Sequence, residues 1–237
     1  MLLFAHRGVH SRNVTENTLE AFEEAVHQGA DGIEFDLRVS KDGELVVCHD
    51  ANLHRVAGDA HRVEELTLVE LQSLTLRHGG RIPSLQDVTS TIHASVLFDM
   101  ELKHADAVQP LLLKLKTSAV LRERTIVSSF QPTILLRFLQ EVPDVRRLFL
   151  LRNWPLPFRG AAFRRNIDRV KPWGVAAQLL ILTKRRVRFL KQFGALVGAW
   201  DRRGLPREAR AARELGVDIA IVRQIREARI PLIPPSS

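Results

Sequence analysis

The sequence predicts an α/β fold of the (β/α)8 TIM-type barrel class, and three observations support this. Short β-like runs alternate with helical patterns, which is typical of βα units around a parallel sheet. About eight such runs fit into 237 residues, a length that suits a barrel. An Asp-Gly pair at 42–43 predicts a small β-hairpin extension after strand 2. A doubly wound open sheet is the alternative. No linker or repeat interrupts the pattern, so one domain over residues 1–237 is expected.

The elements follow one another in the order that a barrel requires. The first strand is LLFAH at 2–6, and in the helix after it Leu19, Phe22 and Val26 recur at helical spacing before Gly29 ends it. The later elements are a strand at 32–39, a helix after the N-cap candidate Ser84, a strand at 95–103, a helix over 106–121, a strand at 125–130, a helix over 132–141, strand candidates in VRRLFLL, AAQLLIL, ALVGAW and VDIAIV, and helices over 184–193 and 207–215.

The cysteine content and the first residues of the chain indicate its cellular compartment. Cys48 is the single cysteine, so no internal disulfide can form and a reducing compartment is expected. The start MLLFAHRG lacks a basic n-region and a long apolar run, and no stretch has the length of a membrane-spanning helix. A cytoplasmic location is therefore expected.

Charge is distributed unevenly along the chain. Residues 1–105 hold 9 Lys+Arg and 17 Asp+Glu, a balance of −8, whereas residues 106–237 hold 26 and 10, a balance of +16. A basic half indicates an anionic partner, such as nucleic acid, acidic lipid or a phosphorylated small molecule. The alternative is that arginines simply cover solvent-exposed helix faces.

Two acids lie where a buried strand would normally carry apolar side chains. In IEFDLRV, the apolar residues alternate with Glu34 and Asp36, which share the other face. If residues 42–43 form a two-residue turn, positions that sum to 85 face each other across the hairpin, and Asp36 faces His49. Glu34, Asp36 and His49 should then project the same way, unless the register slips or a bulge intervenes.

The strand SVLFDMELK repeats the pattern. Asp99, Glu101 and Lys103 share one face near its C-terminal end, where barrel strands point residues into the site. Gathered carboxylates cost several kcal/mol in repulsion and desolvation unless a positive charge compensates, and Mg²⁺ or Ca²⁺ is the natural compensator. The alternative is that each acid pairs with a nearby arginine, such as Arg38 or Arg7.

The first strand ends in a histidine and an arginine. His6 and His49 converge on the same acids, and imidazoles can serve as general base and general acid because their pKa lies near neutral. Arg7 can hold a phosphate through two hydrogen bonds, and Lys103 can add a point charge. These are the parts needed to cleave a phosphate ester: a metal, a cationic clamp, an acid and a base.

These residues resemble the glycerophosphodiester phosphodiesterase family. The matching segments are HRG at 6–8, ENTLEAF at 16–22, GADGIEFDLRVSKDGELVVCHD at 29–50, Leu53, Arg55, IPSLQDV at 82–88 and ELK at 101–103, with weaker matches at SSF 128–130 and Trp200. The first 105 residues match closely and in order, whereas the remainder matches mainly in its strand–helix rhythm. The ordered set is far more specific than any single motif.

The resemblance implies a barrel enzyme that hydrolyses glycerophosphodiesters, such as glycerophosphocholine or glycerophosphoethanolamine, to an alcohol and glycerol 3-phosphate. It makes His6 and His49 the acid/base pair and implies one divalent ion, Mg²⁺ or Ca²⁺. The residues it assigns to the ion are Glu34, Asp36 and Glu101, and those it assigns to substrate are Arg7, Lys103 and Trp200. Glu16 is expected to support the site indirectly by opening a helix. A cyclic phosphate intermediate, formed by attack of the neighbouring glycerol hydroxyl, is also implied.

The second half departs from the family pattern. Asp201, Arg202 and Arg203 follow Trp200, where small uncharged residues are usual, and the last strand ends in 222–224, Val-Arg-Gln, in place of a Thr-Asp pair. These loops shape the alcohol-binding side.

Three alternatives stay open. Lysophospholipase D-like cleavage would use the same site on a larger substrate. Residues 153–166 interleave aromatic residues with arginines, which suits transient contact with an anionic membrane or a lysolipid tail; the alternative is that the aromatics fold onto the barrel. A non-enzymatic anionic-ligand or nucleic-acid binder is the most distant reading, and no nucleic acid is expected because no stacking platform, zinc-finger spacing or helix-turn-helix appears. The oligomeric state is not readable from the sequence.

Overall fold

Eight parallel strands close into a barrel. The computed structural model describes residues 1–154, 160–201 and 207–229. In chain order the described strands are β1 (Leu2–His6), β2 (Gly32–Val39), β3 (Leu45–Val47), β4 (Leu97–Leu102), β5 (Thr125–Ser129), β6 (Arg146–Leu151), β7 (Gly174–Gln178), β8 (Leu196–Trp200) and β9 (Ile219–Val222). The parallel strands pair in the order β1-β2-β4-β5-β6-β7-β8-β9, and β9 pairs back with β1. The predicted barrel is confirmed, and β3 pairs antiparallel with β2 as its hairpin extension.

Helices follow most of the strands. They are α1 (Leu19–His27), α2 (His54–Ala57), α3 (Leu68–Ser73), α4 (Leu85–Thr91), α5 (Val108–Thr117), α6 (Ala119–Arg124), α7 (Pro132–Glu141), α8 (Gly160–Val170), α9 (Lys184–Lys191), α10 (Arg207–Leu215) and α11 (Ile225–Arg229). Ser84 caps α4 as predicted, because its side chain accepts a hydrogen bond from the N–H of Asp87, whose carboxylate accepts one from the Ser84 N–H in return. In the described part of the chain, no helix is long and apolar enough to cross a bilayer.

Several predicted boundaries move by one to three residues, and two elements differ more. The helix expected over 106–121 breaks at Ser118, which is extended (φ −129°, ψ 103°) and whose side chain caps α6 by accepting from the N–H of Leu121. The strand expected in AAQLLIL starts earlier, at Gly174, and ends at Gln178, because Leu179–Ile181 form a 3-10 turn. At the first of these boundaries the Ser118 hydroxyl competes for a backbone N–H, as hydroxyl side chains often do where an element ends.

The strand alternation divides the apolar core into two layers. Leu3, Ile33 and Phe98 belong to the large cluster between the strands and the helices. Residues of the opposite parity, such as Phe4 and Ile126, belong to a smaller cluster inside the barrel. Alternate residues of a strand point to opposite faces, so the residues that share the parity of Phe4 face the barrel interior. The acids of β2 and β4 also face the barrel interior, toward the C-terminal ends of their strands.

The hairpin register differs by one residue from the prediction. Leu37 pairs with Val47 and Val39 with Leu45, so paired positions sum to 84 rather than 85. The loop between Ser40 and Glu44 has three residues, with Gly43 at φ 86°, instead of a two-residue turn. A turn followed by a left-handed residue is the usual form of a three-residue hairpin loop. Cross-strand pairing therefore does not set Asp36 opposite His49.

The segment between β3 and α4 has its own apolar cluster. Its buried members are Val46, Cys48, Leu53, Val56, Val63, Leu71, Leu76 and Ile82. His49, which follows β3, is held over the barrel because Arg38 donates two hydrogen bonds to its carbonyl oxygen, at 3.1 and 2.8 Å. This segment, rather than the hairpin register, brings His49 to the site.

Candidate active site

The turn after β1 positions two predicted residues through an unusual backbone. Arg7 has φ 58° and Gly8 has φ 76°. A Cβ at Gly8 would lie 2.6 Å from the carbonyl oxygen of Ala21, so only glycine lets the turn pack this closely against α1. The Arg7 N–H donates to the Glu34 backbone oxygen at 2.8 Å and contacts its side-chain oxygen at 3.1 Å. A non-glycine residue in the left-handed region is a strain that often accompanies functional sites.

Three predicted metal ligands lie together inside the barrel. Glu34 and Asp36 project from β2, and Glu101 projects from β4, where it is the direct neighbour of Asp36. One carboxylate oxygen from each lies within 4.8 Å of the others. Their exposed fractions are 4%, 0% and 8%. The prediction that strand alternation gathers these acids at one point is confirmed.

Two cations partly neutralise this acid trio. The Nζ of Lys103 lies 2.8 Å from Asp36 Oδ1 and 2.6 Å from Glu101 Oε1. The Nε of Arg7 lies 3.3 Å from Asp36 Oδ2, and Asn17 donates to the same oxygen at 3.1 Å. Of the two arginines considered as partners for the acids, Arg7 takes that role, whereas Arg38 binds the His49 carbonyl.

Burial and the neighbouring charges shift the pKa values of the trio in different directions. Burial, followed by the charges of Asp36 and Glu101, raises the pKa of Glu34 well above its ordinary value. Burial and then Asp36 also raise the pKa of Glu101. Burial alone would raise the pKa of Asp36, but Lys103 and Arg7 outweigh it and hold that pKa below its ordinary range. Neighbouring like charges and desolvation together disfavour ionisation.

The trio has the donor chemistry of a divalent-cation site. All three ligands are carboxylate oxygens, which Mg²⁺ and Ca²⁺ prefer. Burial and then the neighbouring carboxylates raise the pKa values of Glu34 and Glu101, and a bound cation would offset both effects. Residues Glu34, Asp36 and Glu101 therefore fit one divalent ion.

His6 lies beside the trio in a dry environment. Its Nε2 is 3.9 Å from Glu34 Oε2, and its Nδ1 is buried with no hydrogen-bond partner among the described residues. Burial, followed by the charge of Arg7, lowers the pKa of His6 to about 3, so the imidazole is neutral at neutral pH.

His49 is held by a carboxylate that sequence reasoning did not single out. Its Nδ1 lies 2.6 Å from Asp50 Oδ1, and Asp50 Oδ2 in turn accepts from Arg55 at 2.5 Å. Arg55 also binds Glu16 at 2.7 Å, and Glu16 binds Arg7 at 2.9 Å. Burial lowers the pKa of His49 overall, whereas the Asp50 hydrogen bond raises it. Asp50 directly follows His49 in the sequence, and this was the one signal that could have identified it as a partner of the imidazole.

Glu16 supports the site differently from the prediction. It does not open α1, which begins at Leu19 after the N-cap Thr18. Instead, the carboxylate of Glu16 bridges Arg7 and Arg55. Burial alone would raise the pKa of Glu16, but the hydrogen bonds and charges of the two arginines outweigh it and lower that pKa to about 2. The chain of alternating charges ties β1 to the segment that carries His49.

One open cavity of about 490 Å³ joins these groups. It is lined by His6, Arg7, Glu16, Glu34, His49, Arg55, Asp99, Glu101, Lys103, Ser128, Phe130, Leu150, Arg152, Trp200, Ile221 and Arg223. Asp36, fully buried, lies beneath it. The cavity thus brings together the predicted residues of both halves of the chain, including Trp200, which packs edge-to-face on Phe130 at 5.9 Å. Sequence reasoning had assigned no site role to Arg152.

The aromatic residues of the 153–166 segment are only partly described. Trp154 packs edge-to-face on Phe189 at 5.9 Å, and Phe163 is buried against the same ring. Residues 155–159, with Leu156 and Phe158, lie outside the described residues, as do Arg202 and Arg203 after β8.

Comparison with known proteins agrees with this geometry. Residues 6–226 match the model of the glycerophosphoryl diester phosphodiesterase family. A glycerophosphodiester phosphodiesterase of Caldanaerobacter subterraneus subsp. tengcongensis is 38% identical over 141 residues, which cover 54% of this chain and 58% of the relative. One of Bacillus altitudinis is 33% identical over 156 residues, which cover 60% of this chain and 63% of that protein. The chain therefore spans less than two thirds of the length of these curated relatives.

A solved structure covers nearly the whole chain. The crystal structure of a glycerophosphodiester phosphodiesterase from Thermotoga maritima superimposes with a TM-score of 0.79 at 25% identity, over 95% of this chain and 96% of that one. The barrel and its order of elements are therefore shared from end to end.

Proposed function

We propose the function of this chain from one premise, that it belongs to the glycerophosphoryl diester phosphodiesterase family. The protein is a phosphoric diester hydrolase that cleaves a glycerophosphodiester, such as glycerophosphocholine or glycerophosphoethanolamine, to an alcohol and glycerol 3-phosphate. The observation that carries the proposal is the buried carboxylate trio beside two imidazoles in one open cavity. The names of the relatives support the same reaction.

The proposed cofactor is one divalent ion, Mg²⁺ or Ca²⁺, held by Glu34, Asp36 and Glu101. When bound, such an ion withdraws charge from the phosphoryl oxygens and from the oxygen that attacks. The donor set does not separate Mg²⁺ from Ca²⁺, since both accept carboxylates and differ mainly in coordination number and rigidity.

Arg7 and Lys103 are proposed to hold the phosphate. Both line the cavity beside the trio, and both are only partly exposed. A guanidinium can give two parallel hydrogen bonds to phosphate, and the flexible ammonium of Lys103 can exchange a carboxylate oxygen for a phosphoryl oxygen. The bridge through Glu16 fixes the guanidinium of Arg7 before substrate arrives. Trp200 supplies an apolar wall for the carbon skeleton.

The proton transfers are assigned to the two histidines. Asp50 accepts from Nδ1–H of His49, which leaves Nε2 free to take the proton of the glycerol 2-hydroxyl as its oxygen bonds to phosphorus. The bond from phosphorus to the alcohol oxygen then breaks, and that oxygen takes a proton from His6. His6 must be protonated first, and a bound phosphate anion favours this by raising its low pKa. Water opens the cyclic phosphate by the reverse transfers, giving glycerol 3-phosphate.

A substrate panel with and without metal tests the proposal. We expect the purified protein to release alcohol and glycerol 3-phosphate from glycerophosphodiesters with added Mg²⁺ or Ca²⁺, and a chelator to abolish the release. Coupled assay of glycerol 3-phosphate measures it. Turnover that persists in excess chelator would contradict metal dependence, and no release from any glycerophosphodiester would contradict the reaction.

Lysophospholipase D-like cleavage is the second candidate. The apolar side chains in the cavity wall, Phe130, Leu150, Trp200 and Ile221, favour it, since they could contact an acyl-bearing glycerol. The ratio of kcat/KM on lysophosphatidylcholine and glycerophosphocholine separates the two activities.

Flotation with anionic liposomes tests the membrane contact proposed for residues 153–166, and absence of binding would contradict that contact.

The Asp50 pairing predicts a change in pH dependence. Asp50→Asn is expected to lower kcat by about 10- to 100-fold, as for partners that orient functional histidines. Because the Asp50 hydrogen bond raises the pKa of His49, its loss should move the limb of the pH–rate profile that belongs to His49 to lower pH. The control is Asp59→Asn, which removes the similar partner of surface His61, at 2.8 Å. An unshifted profile with full activity would contradict the positioning role of Asp50.

A further inference from the structure

The cations at the barrel mouth differ in whether carboxylates already neutralise them. Arg7, Arg55 and Lys103 each form ion pairs, with carboxylates 2.5 to 3.3 Å away. Arg152 and Arg223 line the same cavity, yet neither has a carboxylate within 4.0 Å among the described residues. The undescribed segments 155–159, 202–206 and 230–237 contain no Asp or Glu. Among the described residues, no carboxylate therefore neutralises either arginine.

Their positions place Arg152 across the barrel mouth from the phosphate clamp and Arg223 beside it, next to His6. Arg152 follows β6 and Arg223 follows β9, both at the C-terminal mouth of the barrel. The strand order sets β6 opposite β1, whereas the acid trio belongs to β2 and β4. Arg223 is close enough to lower the pKa of His6, and its Nε is buried with no hydrogen-bond partner in the described part of the chain. A buried donor without a partner is costly unless a ligand satisfies it.

One ring of the cavity's aromatic wall already carries a cation. The guanidinium of Arg152 lies over the ring of Phe130, 5.2 Å from its centroid. A quaternary ammonium such as choline binds best on an open aromatic face. Here one face of Phe130 carries a cation of the protein itself, and a second uncompensated guanidinium lines the same cavity. A cationic headgroup would meet repulsion from both arginines.

On the premise of the proposed function, we propose that Arg152 and Arg223 select glycerophosphodiesters whose alcohol carries a second anionic group, a carboxylate or a phosphate monoester. The scissile phosphate lies at the trio with Arg7 and Lys103. The alcohol lies toward β6 and β9, where the two guanidiniums hydrogen-bond its anion. Arginine suits this role because its planar fork matches both carboxylate and phosphate.

The test compares four substrates that share the scissile group. They are glycerophosphocholine with a cationic alcohol, glycerophosphoglycerol with a neutral one, glycerophosphoserine with a carboxylate and glycerophosphoinositol 4-phosphate with a phosphate. We expect kcat/KM to be at least about tenfold higher on one or both anionic substrates than on glycerophosphocholine, which corresponds to about 1.4 kcal/mol. The last two substrates decide between carboxylate and phosphate.

Charge-removing variants assign the preference to the two residues. Arg152→Gln and Arg223→Gln should each lower kcat/KM on the preferred anionic substrate by about tenfold and should not lower it on glycerophosphocholine, whose cationic headgroup loses a repulsive neighbour. Arg223→Lys keeps the charge and should keep most of the preference. Arg165→Gln, on the exposed face of α8, is the matched control and should change neither substrate.

Each other result overturns the proposal in a recognisable way. Equal losses on all four substrates would make the arginines part of the shared phosphate clamp. No loss on any would show that they do not contact substrate, with the hydrolase function intact. Calorimetric binding of glycerophosphoserine, glycerophosphoinositol 4-phosphate and glycerophosphocholine to the His49→Gln variant reads the same selectivity without turnover. If none of the four is hydrolysed, the proposed function fails, and this binding measurement still decides whether the arginines select anions.

Discussion

Replacing His49 with glutamine is expected to lower kcat by about 10²- to 10⁴-fold, the contribution typical of a general base or acid. Glutamine removes the titratable nitrogen but retains a polar side chain of similar reach. His49 faces the cavity while Asp50 holds its other ring nitrogen at 2.6 Å, so its Nε2 is oriented to accept the proton. Initial rates at saturating metal and substrate measure the loss.

The fold should survive this change. The side chain of His49 is about one third exposed, and the backbone contact from Arg38 is independent of the imidazole. The matched control is His61→Gln, because His61 is a surface histidine held by Asp59 through the same Nδ1 contact. Circular dichroism and thermal unfolding should be close to wild type for both variants. Full activity in His49→Gln would show that the acid/base assignment is wrong.

The sequence alone was sufficient for the part of the site that lies on strands. Alternation along β2 and β4 predicts that Glu34, Asp36 and Glu101 share the face opposite the apolar residues, and they do. This works because the period of a strand is fixed at two, so parity in the sequence is parity in space. The barrel follows from the same rhythm of alternating elements.

Residues on loops were harder to predict, because turn geometry decides where they point. Pairing across a two-residue turn predicts that His49 faces Asp36, whereas the loop has three residues and the register is shifted by one. His49 nevertheless reaches the cavity, because the segment after β3 and the Arg38 contact carry it there. His49 is therefore at the cavity as predicted, but tertiary contacts of this segment place it there and hairpin pairing does not.

Charge balance was also invisible in the sequence. The linear pattern does not show that Glu16 and Asp50 neutralise Arg55, or that no described carboxylate neutralises Arg223. Asn17 donates a hydrogen bond to Asp36 from a turn in which its φ is 60°, and the sequence alone does not reveal this turn. Such pairings depend on distances between segments tens of residues apart.

Binding of a divalent ion is expected to stabilise the protein, and more strongly at pH 8 than at pH 6. At about 100 times the dissociation constant, a ligand specific for the folded state adds about 2.7 kcal/mol. For a chain of 237 residues this raises Tm by about 5–10 °C. Because the pKa values of Glu34 and Glu101 are raised, protons compete with the ion for these carboxylates, and the competition weakens as pH rises. Thermal unfolding with Mg²⁺, Ca²⁺ or chelator at both pH values measures the increment.

Glu34→Gln should remove most of that increment, together with most of the metal-dependent activity. The substitution keeps an oxygen that can accept the hydrogen bond from the Arg7 N–H, so the turn after β1 is retained, but it removes one anionic ligand from the trio. Asp168→Asn, an exposed acid on α8, is the control and should retain the full Tm response. A rise in Glu34→Gln as large as in wild type would locate the stabilising ion elsewhere. A wild-type increment that shrinks from pH 6 to pH 8 would contradict proton competition at these carboxylates, because the raised pKa values require the opposite sign.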